Sequence, residues 1–158
     1  DRLEQRDLVA KFHTGATERS ERARIRFSSN PSDFDDLAAM RPALKIDCAH
    51  FMGPNHIAMA PVLDKNPNIR ADLSGLIENY DDNAPGSYTS FVRYRLADAI
   101  MYLPGVEQFL FGSDYPFCDQ GDVLRFVESL FDEYEFTPKN REDIMYNNAA
   151  RLYGFTHG

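Results

Sequence analysis

Gln108-Phe109-Leu110-Phe111-Gly112-Ser113-Asp114 is a short apolar run that stops on a glycine and two polar residues. Such a run, bounded by turn residues, reads as a buried strand, and the strand ends at the point where Asp114 emerges. Three earlier stretches have the same form. Leu8-Val9-Ala10-Lys11-Phe12 closes on His13-Thr14-Gly15, and Ala43 to Ala49 closes on His50. Ile69 to Gly75 follows the turn signal Asn66-Pro67-Asn68.

Helical patterns fill the gaps. Ser32 reads as the N-cap of a short helix that Pro42 stops. Ile57–Leu63 reads as another, despite Pro61. From Ser90 to Tyr102, Phe91, Tyr94, Leu96, Ala97 and Ile100 recur at helical spacing, and from Asp122 to Tyr134, Val123, Phe126, Val127, Leu130 and Phe131 do. Thr137-Pro138 is a cap followed by a first-turn proline, opening a helix that turns Ile144, Met145, Ala149 and Leu152 inward and ends at Gly154. Strands alternating with helices predict an α/β fold with a parallel sheet. Two longer connections, Ala16–Pro31 and the Asn-, Asp- and Gly-rich Gly75–Thr89, read as loops.

Composition narrows the classes. The 158 residues are 43% hydrophobic and include 12 Phe and 8 Tyr, too many aromatics for a disordered chain. No apolar run approaches membrane-spanning length. The net charge of −8 argues against nucleic acid or an anionic membrane as partner, since both require a basic surface. Two cysteines make neither a disulfide framework nor a zinc ribbon. Cys48 reads as strand packing, and no nearby base nominates Cys118 as a nucleophile. With no signal-peptide pattern at the start, the expected location is cytoplasmic.

The chemistry gathers at strand ends. His13, His50 and Asp114 each stand at or just past the C-terminal end of a predicted parallel strand, where functional side chains of α/β folds converge. Two imidazoles and a carboxylate suit a zinc-type site. A lone strand-end His is more often structural, hydrogen-bonded to a turn, and Asp114 could cap the next helix, but three such residues on one edge balance the two readings.

These segments also carry a family likeness. Phe109 to Pro116 resembles the last-strand signature of the amidohydrolase-related, metal-dependent hydrolases of TIM-barrel fold, the branch that includes aminocarboxymuconate semialdehyde decarboxylase-like enzymes. Lys11–Gly15 resembles the family's fifth-strand segment, Lys45–Gly53 its sixth, Asn68–Ser74 its seventh and Asn147–Leu152 its closing helix. The resemblance implies the C-terminal half, strands five to eight, of a (β/α)8 TIM barrel over residues 1–158. The family's first-strand His-x-His is missing, since the histidines are at 13, 50, 56 and 157. A whole barrel needs roughly 250 residues, so the chain, which begins at Asp1 without Met, is expected to be cut upstream. Its two sheet edges and its uncovered core face predict aggregation or a homo-oligomer.

The resemblance also implies roles. His13 and Asp114 would hold a divalent metal, taken as zinc, and Asp114 would also take the proton from the attacking water. His50 would hydrogen-bond the substrate or its developing oxyanion. Asp72 and Ser74 would line the substrate pocket. Arg19 and Arg22, with Arg24 and Arg26, would clamp a substrate carboxylate or, interleaved with Glu18 and Glu21, form a solvated face. The implied activity is hydrolysis of a small-molecule amide, ester or lactone by metal-activated water. Non-oxidative decarboxylation of an unsaturated or aromatic acid is the alternative, and a catalytically inactive fragment or degenerate binding barrel is the third reading.

Overall fold

The computed structural model describes residues 2–15, 30–77 and 88–155. After a short helix α1 (Arg2–Gln5), the order is β1 (Val9–His13), α2 (Pro31–Met40), β2 (Lys45–Ala49), a 3-10 turn (His50–Met52), α3 (His56–Lys65), β3 (Ile69–Asp72), α4 (Tyr88–Tyr102), β4 (Phe109–Leu110) and α5 (Gln120–Glu133). The chain closes with α6 (Pro138–Glu142), a π-turn (Asp143–Asn147) and α7 (Asn148–Tyr153).

The four strands lie side by side in chain order, each parallel to the next. A doubly wound sheet reverses its strand order at a switch point. This one never reverses, as an arc of a barrel requires.

Strand alternation gives the sheet two unlike faces. Ile46, Cys48, Ile69, Ala71 and Phe109 are fully buried beneath the helices. They pack in one apolar cluster with Met59 and Leu63 of α3, Leu96 and Ala99 of α4, and Phe126 and Val127 of α5. Phe51 and Phe109 meet edge to face there, with centroids 5.1 Å apart. Burying a side chain of this size contributes about 1.5–3 kcal/mol. The opposite face carries Lys11, Asp47, Asp72 and Leu110 and looks into a cavity. The face expected to be bare core is therefore largely ionic.

Several boundaries differ from the sequence reading. The α2 cap is Asn30, whose side chain accepts from the Ser32 amide at 3.3 Å, with Pro31 in the first turn. Helix α3 runs on to Lys65 and keeps Pro61 inside it. On α4 the buried apolar positions are Val92, Leu96, Ala97, Ala99 and Ile100, whereas Phe91 and Tyr94 are exposed. The small Ala99 lets that helix pack closely, and a stripe centred on aromatics points to the wrong side. Helix α5 buries the five residues expected of it.

The last helical segment is interrupted rather than continuous. Its π-turn presents the Asn148 side chain to the carbonyls of Val106 and Phe109, at 2.7 and 2.8 Å. Ile144 O accepts from Phe111 N at 2.9 Å, tying the same segment to the exit of β4. Gly154 ends α7 in the left-handed conformation. Among the described residues, no helix is long and apolar enough to cross a membrane.

Candidate active site

His13 is the last residue of β1, and His50 the first after β2. His50, Phe51 and Met52 all have positive φ (65, 42 and 56°), costly for residues with a Cβ. Such a turn persists only where its surroundings hold it. Asp72 Oδ1 accepts from His50 N at 3.1 Å. Buried Thr14 accepts from Met52 N at 3.0 Å and donates to Ala49 O. The His56 ring meets Phe51 O at 2.8 Å, which accounts for this buried histidine. Burial holds its pKa below the usual imidazole value.

The turn brings the two strand-end rings together. His50 Nε2 lies 3.2 Å from His13 Nδ1, with ring centroids 4.8 Å apart. On the other side, His50 Nδ1 lies 3.0 Å from both Ser74 O and Ser74 Oγ. Ser74 Oγ and Ser74 N both donate to Asp72 Oδ1, the latter at 3.0 Å.

Asp114, on the loop after β4, also has positive φ (62°), a conformation Asp tolerates better than most residues. Gly75 lies between Asp114 and His50. A Cβ at Gly75 would stand 2.6 Å from His50 Nδ1 and 2.9 Å from Asp114 Oδ2. His13, His50, Asp72, Ser74 and Asp114 thus border one cavity of about 500 Å³.

Its floor joins Asp72 to three residues that the sequence reading did not nominate, Lys11, Asp47 and Tyr153. Lys11 Nζ donates to Asp47 Oδ2 at 2.6 Å and also to Asp72 Oδ2, and Tyr153 OH donates to Asp47 Oδ2 at 2.5 Å. The two carboxylates diverge. Burial pushes Asp47 up, against the Lys11 and Tyr153 hydrogen bonds, and Asp47 Oδ1 is buried without a hydrogen-bond partner among the described residues. Burial also works against ionised Asp72, but the Lys11 charge and the bonds from Lys11, Ser74 and His50 outweigh it and hold its pKa down. For Lys11, burial lowers the pKa and the two carboxylates raise it further than burial lowers it. A signal for this floor was present in the sequence. Lys11 is two residues before His13, and Asp47 falls on the same alternation within an otherwise apolar strand.

The metal expectation meets a limit. Among the described residues, no group of three His, Cys, Asp or Glu side chains converges closely enough to hold an ion. His13 and Asp114 are donors of suitable chemistry on one cavity, but the described residues do not complete a coordination set around them. Arg19, Arg22, Arg24 and Arg26 lie outside the described residues.

Known structures share this architecture. An uncharacterised TIM-barrel protein of Bordetella bronchiseptica, Bb4693, superposes with a TM-score of 0.64 at 22% identity, covering 98% of this chain and 48% of its own. A candidate 2-pyrone-4,6-dicarboxylic acid hydrolase of Pseudomonas putida gives 0.61 at 19% identity, covering 99% and 55%. A dihydroxybenzoic acid decarboxylase of Polaromonas sp. JS666, with bound manganese and the inhibitor 2-nitroresorcinol, gives 0.61 at 15% identity, covering 99% and 52%. The chain therefore spans about half the length of these barrels, and its four-stranded sheet matches part of a TIM barrel. No curated relative matches the sequence. The Amidohydrolase family model matches residues 1–155, almost the full length, and the chain belongs to that family.

Proposed function

We propose that this chain contributes strands five to eight of a hydrolase acting on a small-molecule amide, ester or lactone. The observation that carries the reading is the meeting of His13, His50 and Asp114, from three separate strand ends, on one cavity. His13 and Asp114 would contribute donors to a divalent metal. When bound, such a metal supplies an acidified water and polarises a carbonyl. Asp114 accepts a proton from the attacking water at its carboxylate, which borders the cavity beside Gly75. His50 meets the His13 ring, Nε2 to Nδ1 at 3.2 Å, and so orients it.

Among the described lining residues Lys11 carries the sole permanent positive charge, and it is engaged by both Asp47 and Asp72. Non-oxidative decarboxylation of an unsaturated or aromatic acid is the second reading, and the same experiment separates the two.

The test uses the intact protein and its Asp114→Ala variant, assayed for metal content and for turnover of 4-nitrophenyl acetate and 2,3-dihydroxybenzoate. Ester hydrolysis is expected, falling about 10²–10⁴-fold in the variant. Unchanged metal content and activity in Asp114→Ala would remove the mechanism. Carbon dioxide release from the acid without ester cleavage would favour the decarboxylase reading. Inactivity on both probes in the intact protein would favour a binding barrel.

A further inference from the structure

We propose that Asp72 is a positioning residue that sets the tautomer of His50 by way of the Ser74 hydroxyl. Asp72 Oδ2 takes the Lys11 ammonium, and Oδ1 takes the His50 amide, the Ser74 amide and the Ser74 hydroxyl. Both oxygens are thus engaged within the protein, and the residue is only 3% exposed.

The proton placements follow in sequence. A serine hydroxyl has one hydrogen, and that of Ser74 goes to Asp72. Toward His50 Nδ1, 3.0 Å away, Ser74 Oγ can then offer only a lone pair. The Ser74 carbonyl oxygen, also 3.0 Å away, never offers anything else. Nδ1 faces two acceptors and carries the ring's proton. In the neutral ring Nε2 is then an acceptor, and its partner His13 Nδ1, at 3.2 Å, is the donor. That leaves the lone pair of neutral His13 on Nε2. One carboxylate fixes hydrogen positions on two rings contributed by β1 and the turn after β2.

The assignment deepens the hydrolase reading, because it concerns the two histidines of that site, but the tautomers do not depend on what the site turns over. Without Asp72 the Ser74 hydroxyl is released to donate to Nδ1, which would place the His50 proton on Nε2. Asn at position 72 can keep its one oxygen toward Ser74, because Lys11 also holds Asp47 Oδ2, so Asp72→Ala is the variant that removes the acceptor. Removing the Ser74 hydroxyl as well leaves the carbonyl alone to choose, and Nδ1–H returns.

The experiment is a long-range ¹H–¹⁵N correlation spectrum of the intact protein labelled at histidine nitrogen, recorded at mildly alkaline pH. His50 resonances are assigned by their loss in His50→Gln. The wild type should show His50 protonated at Nδ1. In Asp72→Ala the Nδ1–H to Nε2–H ratio should fall roughly tenfold, the weight of one hydrogen bond. Adding Ser74→Ala to Asp72→Ala should restore it, which a merely structural role for Asp72 does not predict. A wild-type His50 protonated at Nε2 overturns the assignment, and that measurement requires no Asp72 variant to fold. A folded Asp72→Ala protein that keeps the wild-type tautomer overturns it too, as expected if Asp72 only contacted substrate. The expected spectra beside a fully active Asp114→Ala protein would leave this inference standing and remove the hydrolase reading.

Discussion

Gly75 presses against His50 so closely that a single added carbon would stand 2.6 Å from the ring nitrogen Nδ1. The same carbon would meet Asp114 Oδ2 at 2.9 Å, and Gly75 has a φ of 62°. Gly75→Ala should therefore cost about 2–4 kcal/mol, combining left-handed backbone strain with overpacking. Urea unfolding of the two proteins measures it. A loss under about 1 kcal/mol would mean that the His50 and Asp114 side chains yield easily.

Thr14 bridges β1 to the strained turn, and it is fully buried. Thr14→Val keeps the shape and removes the hydroxyl, leaving Ala49 O and Met52 N without that partner. The expected cost is about 1–3 kcal/mol. Because the turn carries His50, the substitution should also raise amide hydrogen exchange at residues 50–53 more than elsewhere.

Lys11 stands between two buried carboxylates but is itself half exposed. Lys11→Met should cost about 2–3 kcal/mol at neutral pH, between the values for exposed and buried pairs. The penalty should shrink on acidification. Asp47 has a raised pKa, so it takes up a proton first and relieves the repulsion from Asp72. Urea midpoints of both proteins from pH 8 to pH 5 test this, and a penalty that grows toward acid would contradict the assignment of Asp47.

Asp72 has the opposite sign. Its folded pKa is depressed, so its contribution to stability is complete above the ordinary carboxylate range and is lost as pH falls below it. Wild type and Asp72→Asn should differ most near neutrality and converge in strong acid. Parallel stability curves down to the lowest pH would show that the charge on Asp72 contributes nothing.

Much of this was readable in advance, and the unread parts have identifiable causes. The strands ending at His13, before His50 and before Asp114 announce themselves by apolar runs that stop on polar turns, and α5 by its regular stripe. The left-handed turn at His50–Met52 has no such mark, because neither Phe51 nor Met52 favours positive φ. The bond from Tyr153 to Asp47 joins residues 106 apart, and local periodicity says nothing about such a pair. On α4 the aromatic residues drew the predicted stripe toward Phe91 and Tyr94, when the smaller Ala99 marks the packed side. At the site, residue type and strand position brought out His13, His50 and Asp114. The alternation that places Lys11 and Asp47 beneath them was equally visible, in strands read only for their apolar content.

The two-faced sheet separates two kinds of freedom to vary. Ala49 and Leu110 border the cavity, while Ile46, Cys48, Ile69 and Ala71 of the same sheet face the helices. A library varied at the first two could reshape which molecules fit without disturbing the packing that the other four maintain. In this fold, neighbouring letters of one strand carry different tasks, one recognition and the next cohesion.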